Sequence, residues 1–125
     1  LNVPVVIVRR DPKITEGSTV SINYVSGSSK KIQTMVLTKR SLKQGAKVCI
    51  IDDFMKAGGT IDGMRNLLKE FEAEVKAIGV LAEAEDEEDE RVVTDYVSLI
   101  QISHVDVKNQ KIETTIGNYF DHIQL

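Results

Sequence analysis

The chain has 125 residues, 42% hydrophobic and 28% charged, with 8 Gly, 2 Pro, 1 Cys and no Trp. This composition excludes collagen-like, disulfide-scaffold and intrinsically disordered classes, and the length suits one domain able to bury about two-thirds of its unfolded surface. The formal charge of −3 is unevenly spread, with +7 on residues 1–47 and −10 on residues 48–125. A net negative chain argues against nucleic-acid binding by this segment alone, because that affinity rests on neutralising phosphates. The basic half suits either a small phosphate-rich ligand or charged strand edges that resist aggregation.

Residues 3–9 form a continuous apolar run behind Pro4 and predict a buried strand. A strand so near Leu1 needs neighbours from elsewhere, so the chain reads as a fragment of a longer protein. Asp11-Pro12-Lys13 is a turn signal. Val20, Ile22 and Tyr24 alternate with Ser21, Asn23 and Val25, and residues 31–38 return after a Gly/Ser-rich connection. The pattern predicts an antiparallel hairpin over residues 18–38. Residues 47–53 end an apolar run in two acids and predict a central parallel strand. Cys49 lies within that run and reads as a buried structural thiol of a reducing compartment.

A Gly-containing loop at residues 54–60 leads to a helix over 61–72, where Ile61, Met64, Leu67, Leu68 and Phe71 share one face. Residues 75–82 predict a further strand, so strand, helix and strand make a crossover unit and the fold class is α/β. Residues 83–90 hold seven acids in eight and read as a solvated surface segment rather than a metal site. Residues 96–102 predict another strand, 105–116 a polar excursion with a short final strand, and 117–125 an amphipathic tail. One Cys with the distant His104 and His122 gives no metal-site spacing. No apolar stretch approaches the roughly 18 residues of a membrane span, and the start shows no secretory signal, so a cytoplasmic location is expected.

The chemistry concentrates at residues 48–60. A strand delivers Asp52 and Asp53 to the carboxyl edge of a sheet, where open α/β folds bind ligands. Gly58 and Gly59 permit close backbone approach, and the helix that follows offers unpaired N–H groups at its positive end. Thr60 can cap that helix or hydrogen-bond a phosphate. Two carboxylates near a phosphate cradle suit ribose hydroxyls, and the parts describe a pocket for a ribose 5-phosphate. Neither a Walker loop nor a dinucleotide G-x-G-x-x-G is present.

This segment resembles the phosphoribosyl pyrophosphate (PRPP) motif of type I phosphoribosyltransferases. The resemblance implies a parallel-sheet fold of that type with an antiparallel flexible hairpin, truncated at the N-terminus. It implies that Asp52 and Asp53 contact ribose hydroxyls and that Ala57, Gly58, Gly59 and Thr60 hold the 5-phosphate. Phe54, Met55 and Lys56 complete the loop where the enzymes carry small residues. Phe54 either packs into the core or offers a face to a purine, and Lys56 is either a phosphate contact or a surface lysine. The hairpin corresponds to the family's flexible loop, with Tyr24, Lys30 and Lys31 as candidate ligand contacts; packing on the hairpin is the competing reading of Tyr24.

Residues 4–11, 15–28, 52–60 and 95–99 further resemble the purine operon repressors of Gram-positive bacteria. In that family a winged-helix DNA-binding domain precedes a phosphoribosyltransferase-like effector domain, and PRPP is an inducer. By this resemblance residues 1–125 are part of the effector domain, without the winged helix and without the first strand and helix of the effector domain. The implied function is PRPP sensing that releases a repressor from purine biosynthesis operators, with no catalytic residue and no required cofactor. Mg²⁺ is an ion that can accompany PRPP, and a guanosine alarmone is a candidate competitor for the same pocket. Operator DNA is reached through the absent domain, the expected assembly is a homodimer, and no membrane is involved. Two other readings remain open: a catalytic purine phosphoribosyltransferase of xanthine or adenine type, and a remnant that binds no nucleotide.

Overall fold

The structure, a computed structural model, describes residues 1–10, 17–27, 29–85 and 91–122. Its organising element is the helix α1 (Gly59–Glu70), which is buried on two sides. One side meets a four-stranded sheet of β3 (Lys47–Met55), β4 (Glu74–Ala84), β5 (Val97–Asp106) and β6 (Lys111–Ile116). The other side meets the hairpin of β1 (Thr19–Val25) and β2 (Ile32–Thr38). The described strands of the sheet run in the order β3-β4-β5-β6, parallel across the first two pairings and antiparallel in the last. The crossover expected from sequence is thus present, since β3 and β4 are parallel and α1 joins them.

Two apolar clusters follow from the spacing along α1. Ile61 and Leu68 pack with Ile50, Ile78 and Val80 of the sheet, together with Met55 and Val93. Leu67 and Phe71 pack with Tyr24, Met35 and Leu37 of the hairpin. Met64 touches both clusters, as helical residues three and four apart share a face. At Gly63 the fit is so close that a β-carbon would stand 2.8 Å from Tyr24 Cβ. The hairpin register pairs Val20 with Leu37 and Ile22 with Met35, so the inward residues of both strands face α1 together.

Four sequence expectations are corrected. Residues 3–9 form no strand: only Arg9 bridges Val36, and Val3, Val5 and Ile7 stay exposed, because no strand pairs with them among the described residues. The strand expected to be central, β3, lies at an edge of the described sheet. Cys49 is exposed rather than buried. A strand sends alternate side chains to opposite faces, and α1 covers only the face of Ile50, leaving Ile51 73% exposed on the other beside Cys49. The acid-rich run is not solvated throughout, since Glu83 still belongs to β4 and is buried, while residues 86–90 fall outside the described residues. The turn expected at residues 11–13 and the last three residues of the tail also lie outside them. The described part of the tail is a 3-10 turn over Asn118–His122.

Because Leu67 is fully buried where α1 meets the hairpin, Leu67→Ala is expected to destabilise by about 3 kcal/mol and to lower the melting temperature by roughly 10 °C. Thermal denaturation followed by circular dichroism checks this. A shift of only a degree or two would mean that the hairpin and helix do not share a core.

Candidate functional site

The strand β3 carries Asp52 and Asp53 near its end, and residues 56–58 turn the chain into α1. The helix begins at Gly59, two residues earlier than the sequence pattern suggests. Its N-cap is Gly58, whose φ of 94° lies in the left-handed region that a residue with a β-carbon rarely adopts. No side chain caps the helix, so Thr60 sits inside the first turn rather than capping it. The first intrahelical bond here runs from Asp62 N–H to Gly58 C=O at 2.9 Å. The N–H groups of Gly59, Thr60 and Ile61 therefore have no acceptor within the helix, and they stand at its positive end.

Gly59 is fixed by a second constraint. A β-carbon on it would lie 2.2 Å from the Val25 carbonyl oxygen, so the hairpin tip rests directly on the helix N-terminus. Gly27 also approaches the loop, less tightly, with its β-carbon position 3.3 Å from the Ala57 nitrogen. Between tip and loop lies a small concavity open to solvent. Asp52, Phe54, Met55 and Lys56 line one part of it, and Gly58, Gly59 and Thr60 another, with Gly27 opposite.

The concavity thus gathers most of the residues singled out in the sequence. Ala57 is part of the loop, and its carbonyl accepts the Val92 N–H at 3.0 Å. Asp53 does not line the concavity; it is exposed, and its backbone N–H donates to Asp52 Oδ1 at 2.9 Å. Phe54 is 42% exposed at the rim. Tyr24 is buried in the hairpin core and donates its hydroxyl to Gln33 Oε1 at 2.9 Å. Lys30 and Lys31 are exposed on the hairpin connection and do not line the concavity.

The Asp52 carboxyl is held above the usual carboxylate range, first by burial and then by the charge and hydrogen bonding of Asp53, against the opposing pull of the Asp53 N–H and the Arg10 charge. Arg10 thus acts on the site although the motif does not contain it. The signal was the Arg9-Arg10 pair closing an apolar run, which is legible only once that run is known to pass near β3. Two further anchors lay hidden. Glu83, Arg91 and Tyr96 form a cluster behind the loop, and Val93 is fully buried with its Cβ 3.0 Å from the β-carbon position of Gly58. Among the described residues no three His, Cys, Asp or Glu side chains gather as a metal cage, and no helix is long and apolar enough to cross a membrane.

Comparison with known proteins shows the family of the chain. The phosphoribosyl transferase domain model matches residues 1–113. The chain belongs to that family. It is 66% identical over 119 residues to the purine biosynthesis transcriptional repressor PurR of Bacillus subtilis, covering 95% of this chain and 41% of that protein. It is 47% identical over 121 residues to the purine biosynthesis transcriptional activator PurR of Lactococcus lactis, covering 97% of this chain and 44% of that protein. Among solved structures it is similar to adenine phosphoribosyltransferase of Thermoanaerobacter pseudethanolicus, with 28% identity and a TM-score of 0.63 over 77% of this chain and 55% of that one. The expected likeness to the purine regulators and the expected type I phosphoribosyltransferase fold are both borne out. The chain spans less than half the length of the purine regulators it matches.

Two outcomes follow from the loop. Gly59→Ala places a methyl group against a backbone carbonyl, and is expected to destabilise by about 1–3 kcal/mol and to displace the hairpin tip. Thermal melting together with the Val25 amide resonance checks it, and an unmoved resonance would contradict the contact. The raised Asp52 pKa means the folded state holds that proton more tightly than the unfolded chain does. Its charge therefore weakens the fold at neutral pH, and stability is regained as pH falls through the raised value. Asp52→Asn should melt higher than the parent at neutral pH, with the difference closing on acidification. An equal melting temperature at every pH would contradict this.

Proposed function

We propose that this chain is the PRPP-binding part of a transcriptional regulator of purine biosynthesis genes. The observation that carries the reading is the concavity at the head of α1, which the half-buried Asp52 lines together with Gly59 and Thr60, whose N–H groups have no acceptor within the helix. Such N–H groups take a 5-phosphate, and a carboxylate accepts hydrogen bonds from ribose hydroxyls. Asp53, Lys56 and Thr60 complete the ligand contacts, with Lys30 and Lys31 of the hairpin connection reaching it on closure. The purine regulators of Bacillus and Lactococcus support the regulatory context. Operator DNA is bound by another domain of the longer protein, which works in the cytoplasm as a homodimer.

The regulation is linkage. PRPP shifts the protein off its operator only by binding the released state more tightly than the DNA-bound one. On that reading a repressor leaves the operator when PRPP is abundant. A guanosine alarmone, another phosphate-rich ribonucleotide, competes for the same concavity. Mg²⁺ needs no protein cage here, because such an ion is held by one or two carboxylates together with the oxygens of the diphosphate.

The likeness to adenine phosphoribosyltransferase keeps a catalytic reading in play, in which a free purine base displaces pyrophosphate from PRPP. Calorimetric titration of PRPP with Mg²⁺ into the longest natural polypeptide containing this sequence decides between the readings. Binding is expected, Asp52→Ala weakens it by about tenfold or more without unfolding the protein, and purine bases release no pyrophosphate. An unchanged dissociation constant in Asp52→Ala would sink the site. Pyrophosphate release would turn the sensor into a transferase.

A further inference from the structure

Among the described residues Glu83 is the one buried acid, 6% exposed at the end of β4. Its Oε2 accepts Arg91 Nη1 at 2.9 Å. The same guanidinium donates from Nη2 to the Ala84 carbonyl at 2.8 Å, from Nη1 to the Tyr96 hydroxyl, and stands 5.6 Å over the Tyr96 ring. Burial, then the hydrogen bond and charge of Glu83, push the Tyr96 phenol up to about 12, so it remains a neutral donor. The cluster therefore uses all three faces of Arg91: its fork, its charge and its plane.

None of these side chains lines the concavity. Their effect falls on the backbone just after Arg91. Val92 donates its N–H to Ala57, and Val93 fills the space a β-carbon of Gly58 would need. Farther on, Asp95 pairs with Arg65 of α1. Residues 91–96 are irregular and hold no sheet ladder. What fixes them is this set of side-chain anchors, and what they press on is the stretch from which α1 starts. A phosphate cradle made of backbone N–H groups binds well only when those groups are held in place before the ligand arrives.

We propose that Glu83, Arg91 and Tyr96 are positioning residues for the phosphate-binding loop, holding Val92 and Val93 against Ala57 and Gly58 and so setting affinity for a ribose 5-phosphate group that they do not touch. The proposal rests on the PRPP-binding reading for its ligand, while its structural half stands on the loop alone.

The test uses the longest natural polypeptide containing this chain, with two readouts taken well below every melting temperature. The first is the dissociation constant for ribose 5-phosphate and for PRPP by calorimetry. The second is hydrogen exchange at the Gly58 and Gly59 amides without ligand. Arg91→Met is expected to weaken both ligands by about tenfold and to speed exchange at the two glycines. Arg91→Lys, which keeps the charge on Glu83 but loses the fork, should recover part of both. Leu67→Ala serves as the comparison for general loosening of the core, and the effect of Arg91→Met on both readouts is expected to exceed it. Should Arg91→Met fail to fold because Glu83 is left unpaired, the double variant Glu83→Gln with Arg91→Met removes both charges and replaces it. Binding within twofold of the parent, with unchanged glycine exchange, would overturn the proposal. A parent that binds neither ligand would overturn the PRPP reading, and the glycine exchange would still decide the bracing role.

Discussion

One contact governs how the parts of this molecule meet. The first residue of α1 is pressed so closely against the Val25 carbonyl that only a hydrogen fits between them. Hairpin, helix and the end of β3 therefore converge on one point. That point is also where the first N–H groups of the helix have no acceptor within it and where Asp52 lines the concavity. A wider spacing would leave the helix N-terminus facing bulk water, and a side chain at Gly59 would fill the cradle. The two apolar clusters on either side of α1 supply the packing that makes so tight an approach tolerable.

The same geometry explains how a site of this kind suits sensing as well as catalysis. The hairpin rests on the loop through backbone, at Gly27 and Gly59, and on the helix through Tyr24 against Gly63. A ligand that fills the concavity touches the loop and the hairpin tip together. Any change in the hairpin's angle is then felt along β1 and β2, away from the cradle. A two-state response needs only that one hairpin position fits the ligand better. The packed contacts favour discrete arrangements over gradual bending, because closely packed interfaces deform poorly.

Much of this was legible in the amino-acid sequence, for identifiable reasons. Period-two alternation in residues 20–25 marks the hairpin, and the i, i+3, i+4 spacing from Ile61 marks the helix. The site's core was legible because it is local: strand, acids, loop and helix start are consecutive. What was not legible depends on neighbours. Four apolar residues in a row do not say which faces a sheet will cover, so the run points to a buried Cys49 where the fold leaves it exposed beside Ile51. Glu83 opens an acid-rich run, and composition hid that it still belongs to β4. The one available clue was Ala84, which carries the small apolar pattern of β4 past Glu83. Arg91 and Val93 act through the fold alone and leave no local pattern.

The electrostatics at Asp52 complete the argument. Its carboxyl is lifted chiefly by burial and by a second acid next door, with Arg10 only partly opposing. A fold selected for stability alone would not place two acids there, because the charged form of Asp52 stays disfavoured even with the Asp53 N–H donating to it, and further donors would favour it. Ribose hydroxyls are such donors, and a phosphate at the helix N-terminus leaves them near the strand end. The acid pair and the glycine pair are then halves of one recognition problem. On the proposed reading the glycines give up side chains so that backbone can reach a phosphate, and Asp52 carries a destabilised charge so that hydroxyls can be held. Each feature weakens the empty protein, and on the proposed reading one ribose 5-phosphate ligand offsets both.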